Sequence, residues 1–552
     1  MEDKNLLIAN LLFPDVTQTP DDMEKRFPER GLPEGAKVTR IAPSPTGFVH
    51  FGNLFPAFVS ERLARQSGGV FLLRIEDTDS QRKVEGAVET IISSFAYYGL
   101  NFDEGVTTGA DIGNYGPYTQ SQRAYIYHIY AKDLVARGLA YPCFLTKEEL
   151  EDIRAQQEKQ KVLPGCYGKW SKYRDCDIET IKQLLSQGKP YVLRLRSPDK
   201  EGGRITYTDI VKGKLEMDEN YLDQVLLKSD GIPTYHFAHA VDDHLMRVTH
   251  VVRGEEWLSS LPLHLQLFGV LNFKAPKYLH ISLLMKQDGN SKRKLSKRHD
   301  PEAALTYYKQ QGYPAQSVRE YVMTLLNSNY EEWRMQNPGL DLNEFKFTTA
   351  KMAHSSSLFD LHKLDDVSKN TIATMSAKQV TSYVLDWAYE FDSELYKLLS
   401  ADTDYAEKIF AIGRNDPKPR KDLAKWSEVR GYIDFFFDSL FAVKDAFPEN
   451  VCTSDTRKIL QEYCKIYDCQ DDSQQWFERI KQLAESMQYA PKPKDYKQNP
   501  QMYKGHVGDI SMVLRIAVTG KTMSPDLYSV MQILGKQRVI KRLMDALERI
   551  KE

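Results

Sequence analysis

KVTRIAPSPTGFVHFGN, residues 37–53, is the stretch on which the fold turns. KVTRIAPSP, from Lys37, reads as a strand, stopped by Pro43 and Pro45, since proline cannot donate into a central ladder. A helical pattern follows from Leu54 to Gln66 and ends at Gly68-Gly69. VFLLRIED, from Val70, is the short apolar run of a strand buried on both faces. GAVETIISSFAYYG is a second helical run, closing at Gly99. Strand, helix, strand, helix between residues 37 and 99 is a βαβα unit and predicts a parallel sheet. In such a sheet, ligands bind beyond the carboxyl ends of the strands, where the turn PSPTG sits. A helix start near His50 offers backbone N–H groups to an anion. His50 and Asn53, three apart, share a helix face and can donate to anionic oxygens. Gly47 and Gly52 let a ligand approach the backbone.

The rest of the chain is organised around this unit. Its 552 residues suggest three or four domains. Lys and Arg number 74 against 76 Asp and Glu, and 41% of residues are hydrophobic, which excludes a disordered chain, a collagen and a coiled-coil rod. No apolar run approaches a membrane span, so no membrane partner is expected. The N-terminus reads as neither a secretory signal nor a transit peptide, so a cytoplasmic location is expected, with the six cysteines as reduced thiols. Residues 1–36, polar and proline-containing, read as an extension wrapped on the surface. Residues 37–117 form the first half of the α/β domain, and 118–222 an α+β insertion. At 223–300, QVLLKSDGIPTYHFAHAVDDHLMRVTHVVRGEEW reads as strand, turn, helix, strand, where the parallel sheet resumes. Helical patterns dominate beyond, through 301–375 and 376–552. The aromatic-rich KWSEVRGYIDFFFDSLFAV and the terminal SPDLYSVMQILGKQRVIKRLMDALERI are the clearest.

A second constellation is KQDGNSKRKLSKRHD, residues 286–300, with Lys286, Lys292, Arg293, Lys294, Lys297 and Arg298 around a mobile Asp288-Gly289-Asn290 turn. Mobile cations beside a phosphate site can close over a developing pyrophosphate charge. Alone, this reads more readily as a solvated basic loop or a nuclear signal, and HFGN alone as a capped helix joint. Together, HFGN and KLSKR, about 240 residues apart, resemble the HIGH and KMSKS signatures of class I aminoacyl-tRNA synthetases. RIAPSPTG, RIEDTD, GPYTQSQR, PTYHFAHAVDDHLM, VVRGEEW, LLMKQDG and KLSKR occur in that order, as in bacterial-type glutamyl-tRNA synthetases. The similarity is dense from Val38 to about Tyr330 and reappears at GHVGDISMVLRIAVTG.

This resemblance implies a Rossmann-type α/β catalytic domain with an α+β insertion that holds the acceptor end, a stem-contact region at 301–375, and an all-α anticodon-binding region. It implies ATP-dependent activation of L-glutamate to glutamyl-adenylate and transfer to the 3′-terminal adenosine of tRNA(Glu), by a monomer. Arg40, Ser44, Glu76, Tyr235, His239 and Arg253 match the glutamate pocket. Bidentate pairing favours Arg for the two carboxylates, and Glu76 matches the residue that meets the ammonium. Arg253 and RIEDTD favour glutamate over glutamine. His239 stands where the family often has Asn, and its charge would vary near pH 6–7. Pro43, Gly47, His50, Gly52, Glu256, Trp257, Leu283, Leu284, Lys294, Leu295 and Lys297 match the ATP site, with Lys297 the main pyrophosphate contact. His50, Asn53, Lys294 and Lys297 are the catalytic donors, and Mg²⁺ is expected on the phosphates. Cys143, Cys166 and Cys176 do not make up four ligands at usable spacing, so zinc is not expected. Arg515, Ser524, Pro525 and Leu527 are the anticodon candidates. A non-discriminating enzyme that also charges tRNA(Gln), a glutaminyl enzyme and a silent tRNA-binding paralogue remain as alternatives.

Overall fold

The computed structural model describes residues 2–47, 49–79, 84–198, 201–296 and 299–550. It divides into two compact units, Met1–Tyr307 with Arg319–Asp360, and Tyr308–Val318 with Leu361–Glu552. Residues 301–375, read as one stem-contact region, are therefore shared between the two.

The first unit is built on five parallel strands. In chain order its elements are β1 (Val38–Ile41), α1 (Leu54–Gln66), β2 (Val70–Leu73), α2 (Ala87–Tyr97), β3 (Glu104–Gly105), α3 (Tyr235–Leu245), β4 (His250–Gly254), α4 (Leu261–Val270) and β5 (Lys277–Ile281). The strand order is β5-β4-β1-β2-β3, all parallel. The chain starts in the middle, winds one way through β2 and β3, then returns to the other side of β1 through β4. The carboxyl ends of β1 and β4 thus mark the point where the winding reverses, the place such sheets bind ligands. All four residues of β1 are buried, as a strand covered on both faces requires. Leu54 to Ala64 of α1 are buried too, including Glu61 and Arg62, which pair at 2.5 Å. The chain reverses tightly into β2 at Gly69, where any Cβ would lie 2.0 Å from the Lys37 carbonyl oxygen.

Two expectations for this unit fail. Residues 1–36 are not a surface wrap. Helices Glu2–Leu12 and Pro20–Arg26 form, and Ile8, Ala9, Leu12, Phe13, Met23 and Phe27 enter the hydrophobic core. The apolar positions 8, 9, 12 and 13 make one helical stripe that outweighs the prolines flanking it. Arg30 then clamps the segment to the sheet edge, donating to both Glu104 oxygens at 2.7 and 2.9 Å. The strand in QVLLK also forms, at Val225–Leu227, but it does not resume the parallel sheet. It pairs antiparallel with Val192–Leu195, which pairs antiparallel with Ala140–Cys143. Leu226 and Leu227 fill the core beneath that small sheet, and the parallel sheet resumes only at β4. The insertion also carries a two-stranded hairpin, Arg204–Asp209 with Gly213–Asp218.

The second unit is helical. Its main members are Leu361–Thr374, Ala377–Phe391, Thr453–Ile466, Ser473–Ser486, Val507–Thr519 and Leu527–Arg549. The last kinks at Gly535, whose φ of 77° only glycine adopts readily. KWSEVRGYIDFFF is not one helix but three short pieces between Trp426 and Phe436. The backbone leaves the helical region at Ile433, where φ is −110° and ψ 2°, and adjacent Phe435 and Phe436 are both buried. Among the described residues, no helix is long and apolar enough to cross a membrane.

Candidate active site

Three strands and one helix converge at the winding reversal. Arg40 and Arg253 are the penultimate residues of β1 and β4, and both are buried. Glu76 follows β2, and its backbone N–H donates to the Pro43 carbonyl at 3.1 Å, tying it to the PSPTG turn. On α3, Tyr235, His239 and Asp243 recur at intervals of four and so share one face.

The charges there are unevenly matched. Arg74 donates to Asp243 Oδ1 at 2.5 Å and to Glu76 Oε1 at 3.1 Å, while Arg40 Nε lies 3.4 Å from Asp243 Oδ2. Burial pushes the Asp243 carboxyl up, but Arg74 and Arg40 outweigh it and hold it well below the ordinary range. Glu76 goes the other way: burial raises it in spite of Arg74 and Arg40. A buried carboxylate whose cations do not fully compensate it is complementary to an arriving ammonium. Arg40 Nε has no hydrogen-bond partner among the described residues.

Arg253 is ringed by aromatic nitrogen. Its Nε donates to His280 Nε2 and its Nη1 to His264 Nδ1, both at 2.9 Å, and its guanidinium carbon lies 4.6 Å from the centre of the Tyr278 ring. Burial lowers His280 and holds His264 well below its ordinary value, so both accept as neutral rings. Sequence reading named neither histidine. The signal was there only in the pairing of β4 and β5, which puts His280 opposite Arg253.

His239 has no exposed edge. Its ring stacks under Tyr235 with centroids 5.9 Å apart, Nε2 is 2.9 Å from Tyr278 Oη, and Nδ1 is 3.0 Å from Asp243 Oδ2 though off-line for a hydrogen bond. Burial pushes it down to about 4 against the pull of Asp243, so its charge does not vary at pH 6–7 as expected from sequence. Below pH 6.5 the unfolded chain then binds a proton that the folded one refuses. Stability should fall as pH drops from about 6.5 to about 4, by roughly 2 kcal/mol at pH 5 from this group. Thermal unfolding at pH 7 and pH 5 checks this: His239→Asn should flatten the dependence, and an unchanged slope would contradict the assignment.

Beyond β1, Gly47 has a φ of +114°, which suits glycine alone. His50 does not ride on α1 but caps the 3₁₀ turn Phe51–Asn53 that leads into it. Its Nδ1 accepts from Gly52 N–H at 2.9 Å, and Asn53 Oδ1 accepts from His50 N–H at 3.0 Å. With Nδ1 accepting, a neutral imidazole carries its proton on Nε2, and the cap itself orients both side chains. A side chain at Gly52 would meet His50 Nδ1 at 3.0 Å. Ser44 is exposed.

The basic segment is a hairpin, Leu284–Asp288 with Ser291–Lys294, turning at Gly289. Its cations divide. Lys286 and Arg293 are spent on buried Asp300, at 3.1 Å and at 2.6 and 2.7 Å, and Lys286 also reaches Glu302. The Arg293 hydrogen bonds hold the Asp300 carboxyl far below the ordinary range, and Asp300 also accepts from Ser296 N–H at 2.9 Å. Lys294 is 57% exposed and only 3.8 Å from exposed Glu256, so it stays available. Lys297 lies outside the described residues. Leu284 and Leu295 are buried and joined by a backbone hydrogen bond of 3.2 Å. Leu283 N–H donates to Glu255 at 3.1 Å, and Trp257 packs 4.6 Å from Tyr235, making the two halves of the site contiguous.

Among the described residues, no three His, Cys, Asp or Glu side chains are grouped to hold a metal ion. In the second unit, a cavity of about 680 Å³ is lined by Trp476, Phe477, Lys481, Arg515, Leu527 and Tyr528, among others. Arg515 Nη1 donates to the Ser524 carbonyl at 3.1 Å, to its hydroxyl, and to the Pro525 carbonyl at 2.9 Å. The four anticodon candidates thus stand together.

Residues 37–366 match the family "tRNA synthetases class I (E and Q), catalytic domain", and residues 500–547 match "Anticodon binding domain". The glutamate–tRNA ligase of Acetivibrio thermocellus is 53% identical over 97% of this chain and 98% of its own, and that of Clostridium perfringens strain 13 is 49% identical over 97% and 99%. The chain belongs to the glutamate–tRNA ligase family. The crystal structure of a glutamate tRNA ligase from Elizabethkingia meningosepticum in complex with its amino acid matches this ligase with a TM-score of 0.75 at 29% identity, covering 93% of this chain and 100% of that one. The parallel sheet and the helical C-terminal region of the ligase are those its motifs implied.

Proposed function

We propose that this glutamate–tRNA ligase binds L-glutamate at the winding reversal, with Arg40 and Arg253 taking its two carboxylates and Glu76 its ammonium. The observation that carries this is the mismatch at the site: two buried arginines from neighbouring strands beside a carboxylate that burial raises. A dicarboxylic amino acid has the charges to complete it. Tyr235 walls the pocket, His239 supports Tyr235 from beneath, and Ser44 lies at the rim. ATP lies along Pro43, Gly47 and Gly52, its adenine against Trp257, Glu256, Leu283, Leu284 and Leu295.

The α-carboxylate is already ionised, so its attack on the α-phosphorus needs no general base. Catalysis is positioning and charge stabilisation by His50, Asn53, Lys294 and Lys297. Mg²⁺ on the phosphate oxygens would neutralise part of their charge, and it prefers phosphates and water to a protein cage. The adenylate then passes its acyl group to the terminal adenosine of tRNA(Glu), held by the insertion at 118–222 and by the helical region beyond. The ligase acts as a cytoplasmic monomer. Charging of purified tRNA(Glu) and tRNA(Gln) with glutamate and with glutamine tests the reading. Glutamate on tRNA(Glu) is the expected product, and glutamine on either tRNA would overturn it.

The cavity at Arg515 reads the anticodon loop, since unstacked bases are recognised by stacking and edge contacts. Arg515→Ala should raise the KM for tRNA(Glu) on the order of tenfold, with kcat at saturating tRNA little changed. Equal charging of tRNA(Glu) and an anticodon-mutated tRNA by the unaltered ligase would remove this role.

A further inference from the structure

The insertion hairpin Arg204–Asp218 reaches β5 with its tip, where Ile210 N–H donates to the Tyr278 carbonyl at 3.1 Å. Its outer face, with Thr206, Thr208 and Lys214, is exposed, but Asp209 is 1% exposed. The Asp209 carboxylate is fully used. Oδ1 accepts from the N–H groups of Val211 at 2.9 Å and Lys212 at 2.8 Å, and Oδ2 from His280 N–H at 3.1 Å and His280 Nδ1 at 2.7 Å. Lys212, beside it, holds Glu255, which accepts from Leu283 N–H.

This fixes a chain of proton positions. Arginine has no acceptor, so His280 Nε2 must accept the Arg253 Nε–H, and the His280 proton must sit on Nδ1. A carboxylate at Asp209 is what keeps it there. We infer that Asp209, acting through His280, is a positioning residue for Arg253, so that the insertion hairpin sets the guanidinium that meets the glutamate carboxylate. The inference rests on the proposed place of Arg253 in the glutamate pocket. Asp209→Asn tests it sharply. The amide can keep the Oδ1 bonds that shape the hairpin tip while turning NH₂ toward two donors of His280. The imidazole then shifts its proton to Nε2, and donor faces donor at Arg253.

The experiment is steady-state aminoacylation by the full chain with tRNA(Glu), reading KM for glutamate and for ATP separately. Asp209→Asn and His280→Ala should each raise glutamate KM on the order of tenfold, the scale of one charge-assisted hydrogen bond, with ATP KM within about twofold. His280→Gln, which restores an acceptor near the Nε2 position, should recover most of the loss. If Asp209→Asn does not fold, the His280 pair decides alone. Glutamate and ATP KM moving together, neither moving, or Gln behaving no better than Ala would overturn the inference. Arg253→Gln separates it from its premise: an unchanged glutamate KM there removes Arg253 from the pocket, whereas a raised one with Asp209→Asn silent removes only the relay.

Discussion

Arg253→Ala is expected to lower kcat/KM for glutamate by about 2–5 kcal/mol, roughly 30- to 5,000-fold. A substrate carboxylate would enter a buried site built for a guanidinium and find none. The loss is compounded inside the protein, because neutral His264 and His280 both accept from Arg253 and each would lose that donor. Glutamine, whose side chain carries no charge, should lose less if it enters the site at all. Aminoacylation kinetics with both amino acids decide the matter. Equal losses would mean that Arg253 holds the shared α-carboxylate, or only the fold.

Lys297→Ala is expected to slow adenylate formation by on the order of 10²–10³, the scale for one preorganised donor on developing charge. Glutamate affinity should change far less, because the ammonium acts on the leaving pyrophosphate. The segment that carries it is pinned on one side by Ser296 N–H and Arg293, both on Asp300. Asp300→Asn should therefore reproduce part of the defect with Lys297 intact, visible as a slower rate in pyrophosphate exchange at saturating glutamate. A rate within a few-fold of normal for Lys297→Ala would reduce the loop to a solvated basic run.

Much of this was legible from local pattern. β1, α1 and β2 fall where Pro43, Gly68-Gly69 and the doubly buried apolar runs put them, because each end is marked by a residue with a backbone reason to be there. HFGN was legible as chemistry and also as a cap, and the structure shows the cap. What local pattern could not carry was long-range pairing. Arg253 and His280 are 27 residues apart and meet only because β4 and β5 lie in register. Asp209 reaches them from the insertion, 71 residues before His280. His239 looked pH-sensitive because an unperturbed imidazole titrates near pH 6–7; full burial, which no local pattern announced, removes that property. The N-terminal helices were hidden behind prolines that lie at their ends rather than within them. Val225–Leu227 has the composition of any buried strand, and nothing within it says which sheet it joins.

The central claim is that the pocket between β1 and β4 selects glutamate for activation at HFGN and KLSKR. Amino-acid-dependent exchange of pyrophosphate into ATP, measured with tRNA(Glu) present and with glutamate and glutamine in parallel, tests it most directly. The expected result is exchange driven by glutamate, with glutamine giving little above the background without amino acid. Exchange driven as well by glutamine as by glutamate would contradict the role given to Arg40, Glu76 and Arg253, and no exchange with either would contradict the activity itself.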